Sequence, residues 1–258
     1  MTKEVEEITE KLMNSYNNNT PIDFIRNSYT LDETASYDVQ EAFVRKKCDT
    51  YGEGVKGYKI SMTSPETQAL ANTNEPAYGT LTTSSIMQNQ AHLSLIKMNS
   101  PIVEPELMFV LTDDLSAEAT EEEILTNSKI APGLEVPDSR YKDWFPNFEL
   151  MDLICDNGVT GKVVVGEPVD FPDLHALPKV RMELFHNGEK IEEGVGSTVL
   201  ENPTSSVAWL VKKLAQRHKT LKKGMIISSG TFISPIRVKE GIYKAVFTGI
   251  GEAEVSFE

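Results

Sequence analysis

Residues 102–111, Ile102-Val103-Glu104-Pro105-Glu106-Leu107-Met108-Phe109-Val110-Leu111, read as a strand that is acidic at one end and apolar along its body. On an extended backbone residues i and i+2 share a face, so Glu104 and Glu106 aim their carboxylates at a common point. Pro105 between them has no N–H to give. That fits a strand edge or a bulge beside a cleft better than a regular ladder position. Two carboxylates this close repel unless both stay solvated, share a proton or share a cation. Oxygen-only ligands select hard ions such as magnesium, manganese or calcium. Spacing alone leaves two readings open: a cation site, or two exposed glutamates on a polar edge.

Two other charged residues sit in apolar surroundings. Glu135, in Ile130-Ala131-Pro132-Gly133-Leu134-Glu135-Val136-Pro137-Asp138-Ser139-Arg140, alternates with Leu134 and Val136 and can point inward. A buried carboxylate needs a partner, which here is a metal ion or an ordinary ion pair with Arg140 or a lysine. Lys59 alternates with Tyr58 and Ile60, and its long side chain either snorkels outward or reaches into a cleft. The four histidines, His92, His175, His186 and His218, share no motif with each other or with Ser or Cys, so a histidine relay has no support.

Around these segments the periodicity changes character. Val5, Ile8, Leu12, Met13 and Tyr16 recur at the helical period, and Ala35, Val39, Ala42 and Phe43 do so between about Asp32 and Lys47, with Gly52 and Gly54 closing the second run. From residue 55 onward strands dominate. Ser64-Pro65 offers a cap and a first-turn proline for a short helix, Thr120-x-x-Glu123 is a capping box, and Asn202-Pro203 opens a helix carrying Val207, Leu210, Val211 and Leu214. Strands are expected at 92–97, 106–111, 129–136, 162–165, 179–186, 225–229, 243–247 and 252–257. Many short strands with few helices predict an α+β fold. Residues 1–54 form a helical N-terminal segment and 55–258 a β-rich catalytic domain. Gly194-x-Gly196 is not placed between a strand and a helix N-terminus, so it reads as a hairpin turn and not a nucleotide loop.

The totals exclude several classes of function. A formal net charge of −14 repels nucleic acid, and no basic stripe with interleaved aromatics offsets it. The cluster Lys212, Lys213, Arg217, Lys219, Lys222 and Lys223 falls at the end of the helix opened by Asn202-Pro203, where it reads as a solvated face suited to the dipole. No apolar run approaches the ~18 residues of a membrane span, and the start lacks the apolar stretch of a signal peptide, so a cytoplasmic location is expected. Cys48 and Cys155 lack metal or disulfide spacing and read as packing thiols.

Six segments in order carry a resemblance. They are Gly57-Tyr58-Lys59-Ile60-Ser61-Met62-Thr63-Ser64, Glu75-Pro76-Ala77-Tyr78-Gly79, Glu104-Pro105-Glu106, the stretch Leu134 to Arg140, Cys155-Asp156-Asn157, and Ser228-Ser229-Gly230-Thr231. Together they resemble the fumarylacetoacetate hydrolase superfamily, in its 2-hydroxypentadienoate (2-keto-4-pentenoate) hydratase and 4-oxalocrotonate decarboxylase branch. The resemblance implies a mixed β-roll core and a Mg2+ or Mn2+ ion held by Glu104, Glu106 and Glu135. It also implies a substrate-contacting Lys59 and a pocket lined by Asn157, Ser229, Gly230 and Thr231. Its members are lyases of aromatic-compound degradation that act on small 2-oxo or 2-hydroxydienoic acids. They are usually homo-oligomeric and can associate with a sister hydratase or decarboxylase. Hydratase activity is the leading expectation, with 4-oxalocrotonate decarboxylase as the alternative, followed by an acylpyruvate-type carbon–carbon hydrolase or a non-catalytic partner subunit. One position departs from the pattern. Hydratases of this branch commonly have an aspartate with a proposed part in proton transfer where this chain has Ala77, whose methyl group can neither accept nor deliver a proton.

Overall fold

Two capped helices open the chain. In this computed structural model, which describes residues 2–171 and 173–258, α1 (Lys3–Asn18) begins where the Thr2 hydroxyl accepts a hydrogen bond from Val5 N–H. Val5, Ile8 and Leu12 form its buried stripe, which packs against α2 (Glu33–Tyr51). Asp32 caps α2 through Ala35 N–H at 2.8 Å, and Gly52 ends it in the left-handed region at φ 66°. Gln40, fully buried on α2, ties the helix to the body by donating to the carbonyls of Tyr78 (2.9 Å) and Ile154 (3.0 Å).

The remaining elements follow as β1 (Val55–Ser61), α3 (Pro65–Leu70), β2 (Ala77–Thr82), β3 (Ile86–Gln88), β4 (Ala91–Leu93), β5 (Ile102–Leu111), α4 (Glu121–Thr126) and β6 (Ser128–Val136). After them come α5 (Trp144–Asn147), α6 (Leu150–Cys155), β7 (Lys162–Val165), β8 (Arg181–His186), β9 (Glu189–Val195) and α7 (Pro203–Ala215). The chain ends with β10 (Ile226–Thr231), β11 (Ile236–Arg237), β12 (Gly241–Phe247) and β13 (Gly251–Phe257). One sheet has the order β2-β1-β10-β5-β6-β7-β3, with β11 also on β5; the other runs β4-β13-β12-β8-β9. Parallel pairs such as β1–β10 and β3–β7 lie among antiparallel ones, giving the expected α+β fold with a mixed β-roll core. Strands β5 and β6 sit in the middle of the first sheet, and the second sheet packs on β6 through β12 and β13.

Several expectations change. Residues 92–97 do not form one strand: β4 stops at Leu93, and a turn of 3-10 helix takes Leu95–Lys97. Strands β2, β3 and β9 were not anticipated. β2 is buried at every position and so shows no alternation, while β9 is almost wholly exposed and so shows no apolar period. Gly194 and Gly196 do not make a hairpin turn. Gly194 lies in β9, where an added Cβ would stand 2.3 Å from the Phe232 carbonyl oxygen, and one on Gly196 would stand 2.2 Å from that of Leu177. Both are close-approach glycines. The basic cluster is not simply a solvated face. Lys213 pairs with Glu33 and Glu75, and Arg217 with Asp38 and Glu41, stapling the end of α7 to α2 and to the segment before β2. Cys155 is buried and Cys48 half-buried, both without a disulfide.

Candidate active site

Strands β5 and β6 pair antiparallel with Glu104 directly opposite Glu135, and Glu106 follows two residues on along the same face. This register gathers three carboxylates, one oxygen from each lying within 4.8 Å of the others. Glu106 and Glu135 are buried, and Glu104 is half-buried at the mouth. Pro105 sits in a central strand, and its carbonyl accepts from Phe232 N–H at 3.1 Å, so its missing N–H also faces the β10 side. The register of β10 against β5 breaks there, between Ser228 and Thr231. The extra residue of this irregularity lies on β10, so Pro105 itself occupies a regular stretch of a central strand and not the edge or bulge expected of it.

Lys59 reaches this cluster from β1, across β10, instead of snorkelling; it is 2% exposed, with Nζ 3.0 Å from Glu135 Oε1 and 2.5 Å from Ser61 Oγ. Arg140 is therefore not the partner of Glu135. Its guanidinium is spent on Asp156 and on the carbonyls of Asp138 and Thr160.

Three acids against one ammonium leave the cluster short of positive charge. Burial pushes Glu104 up to about 8, with Glu135 adding to the rise and Lys59 opposing it. Burial also drives Glu106 well above the usual carboxylate range, helped by Glu135 and Glu104, although it accepts from Ser228 Oγ at 2.5 Å and Gly230 N–H at 2.8 Å. Glu135 is raised because burial outweighs Lys59. For Lys59 burial pulls down, but Glu135, Glu104 and Glu106 together outweigh it and hold the ammonium above its ordinary value. Neither Glu135 oxygen receives an aligned hydrogen bond; the Lys59 approach is an ion contact without that geometry. A cluster in this condition is relieved by a shared proton or by a further cation, and three oxygen ligands with a half-open side could hold a hard divalent ion.

The other predicted residues divide into two groups. Thr231 lines the cleft over the carboxylates, its hydroxyl donating to Ile233 O at 2.9 Å. Gly230 supports Glu106 through its N–H; at φ 119° an added Cβ would collide with Thr63 Oγ1 at 2.3 Å. Ser229 points away from the cleft lining, and its carbonyl accepts from Ser206 Oγ at 2.6 Å. Asn157 is not among the cleft-lining residues; its amide accepts from Thr80 N–H (2.7 Å) and donates to Thr80 O (2.9 Å). Next to it, an added Cβ on Gly158 would approach Lys59 Cδ to 3.3 Å, so this turn packs directly on the lysine stem. Ala77 is fully buried on β2 opposite Ser61 and is not among the cleft-lining residues. Sequence reading did not single out Ser228 and Ser61 individually, and only strand register places them. Ser228 stands beside Lys59 across β1–β10 and hydrogen-bonds Glu106, and Ser61 follows Lys59 by two on the same face. A larger hollow, about 640 Å³, opens between α1, α2 and the turn after β4, away from the carboxylates. The cleft above the acids has about 30 Å³ of free space. The smaller one is the candidate for chemistry, because buried charges converge there without enough partners.

Curled mixed sheets around an inward-facing acid cluster define the fumarylacetoacetate hydrolase class of fold. A family member of that name from Yersinia pestis superimposes with a TM-score of 0.60 at 13% identity, over 78% of this chain and 92% of its own, a likeness of fold alone. A 4-oxalocrotonate decarboxylase from Pseudomonas putida, complexed with magnesium and adipate, superimposes with a TM-score of 0.92 at 25% identity, over 100% of this chain and 99% of its own. No protein-family model matches the chain. A 2-keto-4-pentenoate hydratase from Burkholderia vietnamiensis is 32% identical over 232 residues, 88% of this chain and 86% of the relative. One from Paraburkholderia xenovorans is 29% identical over 257 residues, 98% of this chain and 94% of the relative. The chain belongs to the 2-keto-4-pentenoate hydratase and 4-oxalocrotonate decarboxylase branch of the fumarylacetoacetate hydrolase family.

Proposed function

We propose that this chain is a divalent-metal-dependent lyase that hydrates a small 2-hydroxydienoic acid, acting as a 2-keto-4-pentenoate hydratase in aromatic-compound degradation. The observation that carries the reading is the buried carboxylate of Glu135, left without an aligned donor inside a three-acid cluster. Glu104, Glu106 and Glu135 would hold Mg2+ or Mn2+, with Ser228 and Gly230 fixing the Glu106 carboxylate that both of them reach. Such an ion, when bound, supplies Lewis-acid stabilisation of negative charge on the substrate's 2-oxygen.

The chain's own groups supply the rest. Lys59, kept protonated by the acids, places a second positive charge beside the cluster, and Ser61 orients its Nζ. The 2-hydroxydienoate loses its hydroxyl proton and gains one at C5, giving a conjugated 2-oxo acid. Water then adds hydroxide at C4 and a proton at C3, yielding a 4-hydroxy-2-oxo acid. Ala77 lies outside the cleft lining, so the methyl group at that position does not occupy the reacting space.

A second reading, 4-oxalocrotonate decarboxylation, draws support from the TM-score of 0.92 to the decarboxylase. Purified protein with Mg2+ is given 2-hydroxypenta-2,4-dienoate and, separately, 4-oxalocrotonate. Formation of 4-hydroxy-2-oxopentanoate is the expected result. Carbon dioxide release from 4-oxalocrotonate alone selects the second reading, and turnover of neither removes both. The proposal includes homo-oligomeric assembly, which light scattering reads directly; Ile96, 88% exposed, is a large apolar side chain that a subunit contact would cover.

A further inference from the structure

The cleft changes polarity along a single strand. On β5 the residues facing it run Glu106, Glu104, Ile102, so about 14 Å of strand passes from two acids to a branched hydrocarbon. Beyond Glu104 the walls are Leu70, Trp144, Phe145, Leu153 and Val159. The Trp144 indole N–H donates to Ser100 O at 2.9 Å. Among the described residues Lys59 is the only cation lining the cleft, and it sits at the acid end on Glu135. Arg237, a cation beside Phe145, is not part of the lining. It lies 5.8 Å from the Phe145 ring centroid and donates to Ser100 Oγ at 2.7 Å and to Phe145 O.

Resting on the 2-oxo-acid reading above, we infer that this site selects monocarboxylic 2-oxo acids with an apolar distal end and rejects dicarboxylic acids of the same length. With its 1-carboxylate and 2-oxygen at the acid cluster, a substrate extends its far end towards Ile102, Leu70 and Trp144. A vinyl or methyl terminus is desolvated there against hydrocarbon, which is favourable. A second carboxylate would be buried there without a countercharge, which is strongly unfavourable. Arg237 could reach it only by giving up both of its present partners. Discrimination of about a hundredfold is the size such a pocket supplies.

Calorimetry in Mg2+ compares 2-oxopentanoate with 2-oxoglutarate, five-carbon acids that differ at the distal group. The expected result is binding of 2-oxopentanoate about a hundredfold tighter; equal or tighter binding of 2-oxoglutarate overturns the inference. Leu70→Arg, at a half-buried position of that wall, should shift the ratio at least tenfold towards 2-oxoglutarate, with 2-oxopentanoate weakened by the loss of its apolar contact. An unchanged ratio in a folded variant shows that the distal wall is elsewhere, and the wild-type ratio stands even if that variant does not fold. Turnover is measured separately. Absence of dienoate turnover with the binding preference intact removes the lyase reading and keeps this one. Binding of neither acid removes both.

Discussion

Glu106 is the residue on which the site turns, because it takes hydrogen bonds from Ser228 and Gly230 and still shares burial with two other carboxylates. Glu106→Gln keeps the side chain's shape and removes one negative charge. Metal-dependent turnover should fall by more than about a hundredfold, beyond what loss of an outer partner of a metal site does. In EDTA the same variant should melt at or above the wild-type temperature, since a like-charge repulsion has gone. Full activity would remove Glu106 from the site. Asp138, three residues beyond Glu135, gives a pH prediction. Burial lifts it to about 7 against the Asn99 N–H that its two oxygens share at 2.9 and 3.0 Å. The unfolded chain releases that proton near its ordinary value of 3.8. The folded state therefore holds more protons between these values, and this contribution to stability is complete at low pH and lost as pH rises towards about 7. Asp138→Asn, which keeps an acceptor for Asn99, should flatten the melting temperature between pH 5 and 7; an unchanged slope would assign the dependence to other groups. Spacing put Glu104 and Glu106 on one face but left a cation site and an exposed polar edge both open, the apolar neighbours of Glu135 left it between a metal and an ion pair, and only the order of the six motifs joined the three. Ser228 was not readable, since a serine in a β-strand gives no signal until register sets it against Glu106.

The same contrast holds for elements. Both N-terminal helices were legible because their buried faces recur every three or four residues between recognisable caps, whereas β2, buried on both sides, and β9, exposed on both, carry no period. The junction after β6 depends on a contact no local pattern reveals. Asp156, at the end of α6, accepts from Ser139 Oγ at 2.8 Å, Arg140 N–H at 2.9 Å and the Arg140 guanidinium, all fully or nearly buried. Removing one partner strands the other, so Asp156→Ala should lower stability by about 3–5 kcal/mol, seen as a reduced urea midpoint at unchanged slope. A loss below about 1 kcal/mol, the size of an exposed pair, would show the clamp to be solvated. Entry to the cleft makes a further demand. Its free space of about 30 Å³ is roughly one water's share, too little for a five-carbon acid. The short turn that carries Trp144 closes the cleft with Asp143, Pro146 and Asn147 exposed to solvent, and its displacement opens the shortest way in. In a Trp209→Phe background, adding 2-oxopentanoate with Mg2+ should change Trp144 fluorescence, and a flat titration despite calorimetric binding would place the entrance elsewhere.

For the molecule as a whole, a cation held by the acid cluster would link its binding to folding. The architecture was expected through six short motifs in order, and the ion-pair stapling of α2 to the end of α7 was not, because ion pairs between distant charged residues look like surface charge in a linear sequence. The carboxylates at the sheet centre are the opposite case. They come together only in the folded chain, where β5 and β6 set Glu104 against Glu135. A divalent cation bound there favours the native state and has little hold on the unfolded chain, so stability should rise with metal concentration by mass action. At a hundred times the dissociation constant the gain is about 2.7 kcal/mol. For a chain of this size each kcal/mol moves the midpoint by about 2–4 °C, so saturating Mg2+ or Mn2+ should raise the melting temperature by roughly 5–10 °C. Calcium, an equally hard oxygen-seeking ion, should also stabilise. The rise should vanish with EDTA and be absent in Glu106→Gln. A wild-type melting temperature indifferent to millimolar magnesium, manganese and calcium would mean that the three glutamates share protons and not a metal ion, and the proposed chemistry would lose its centre.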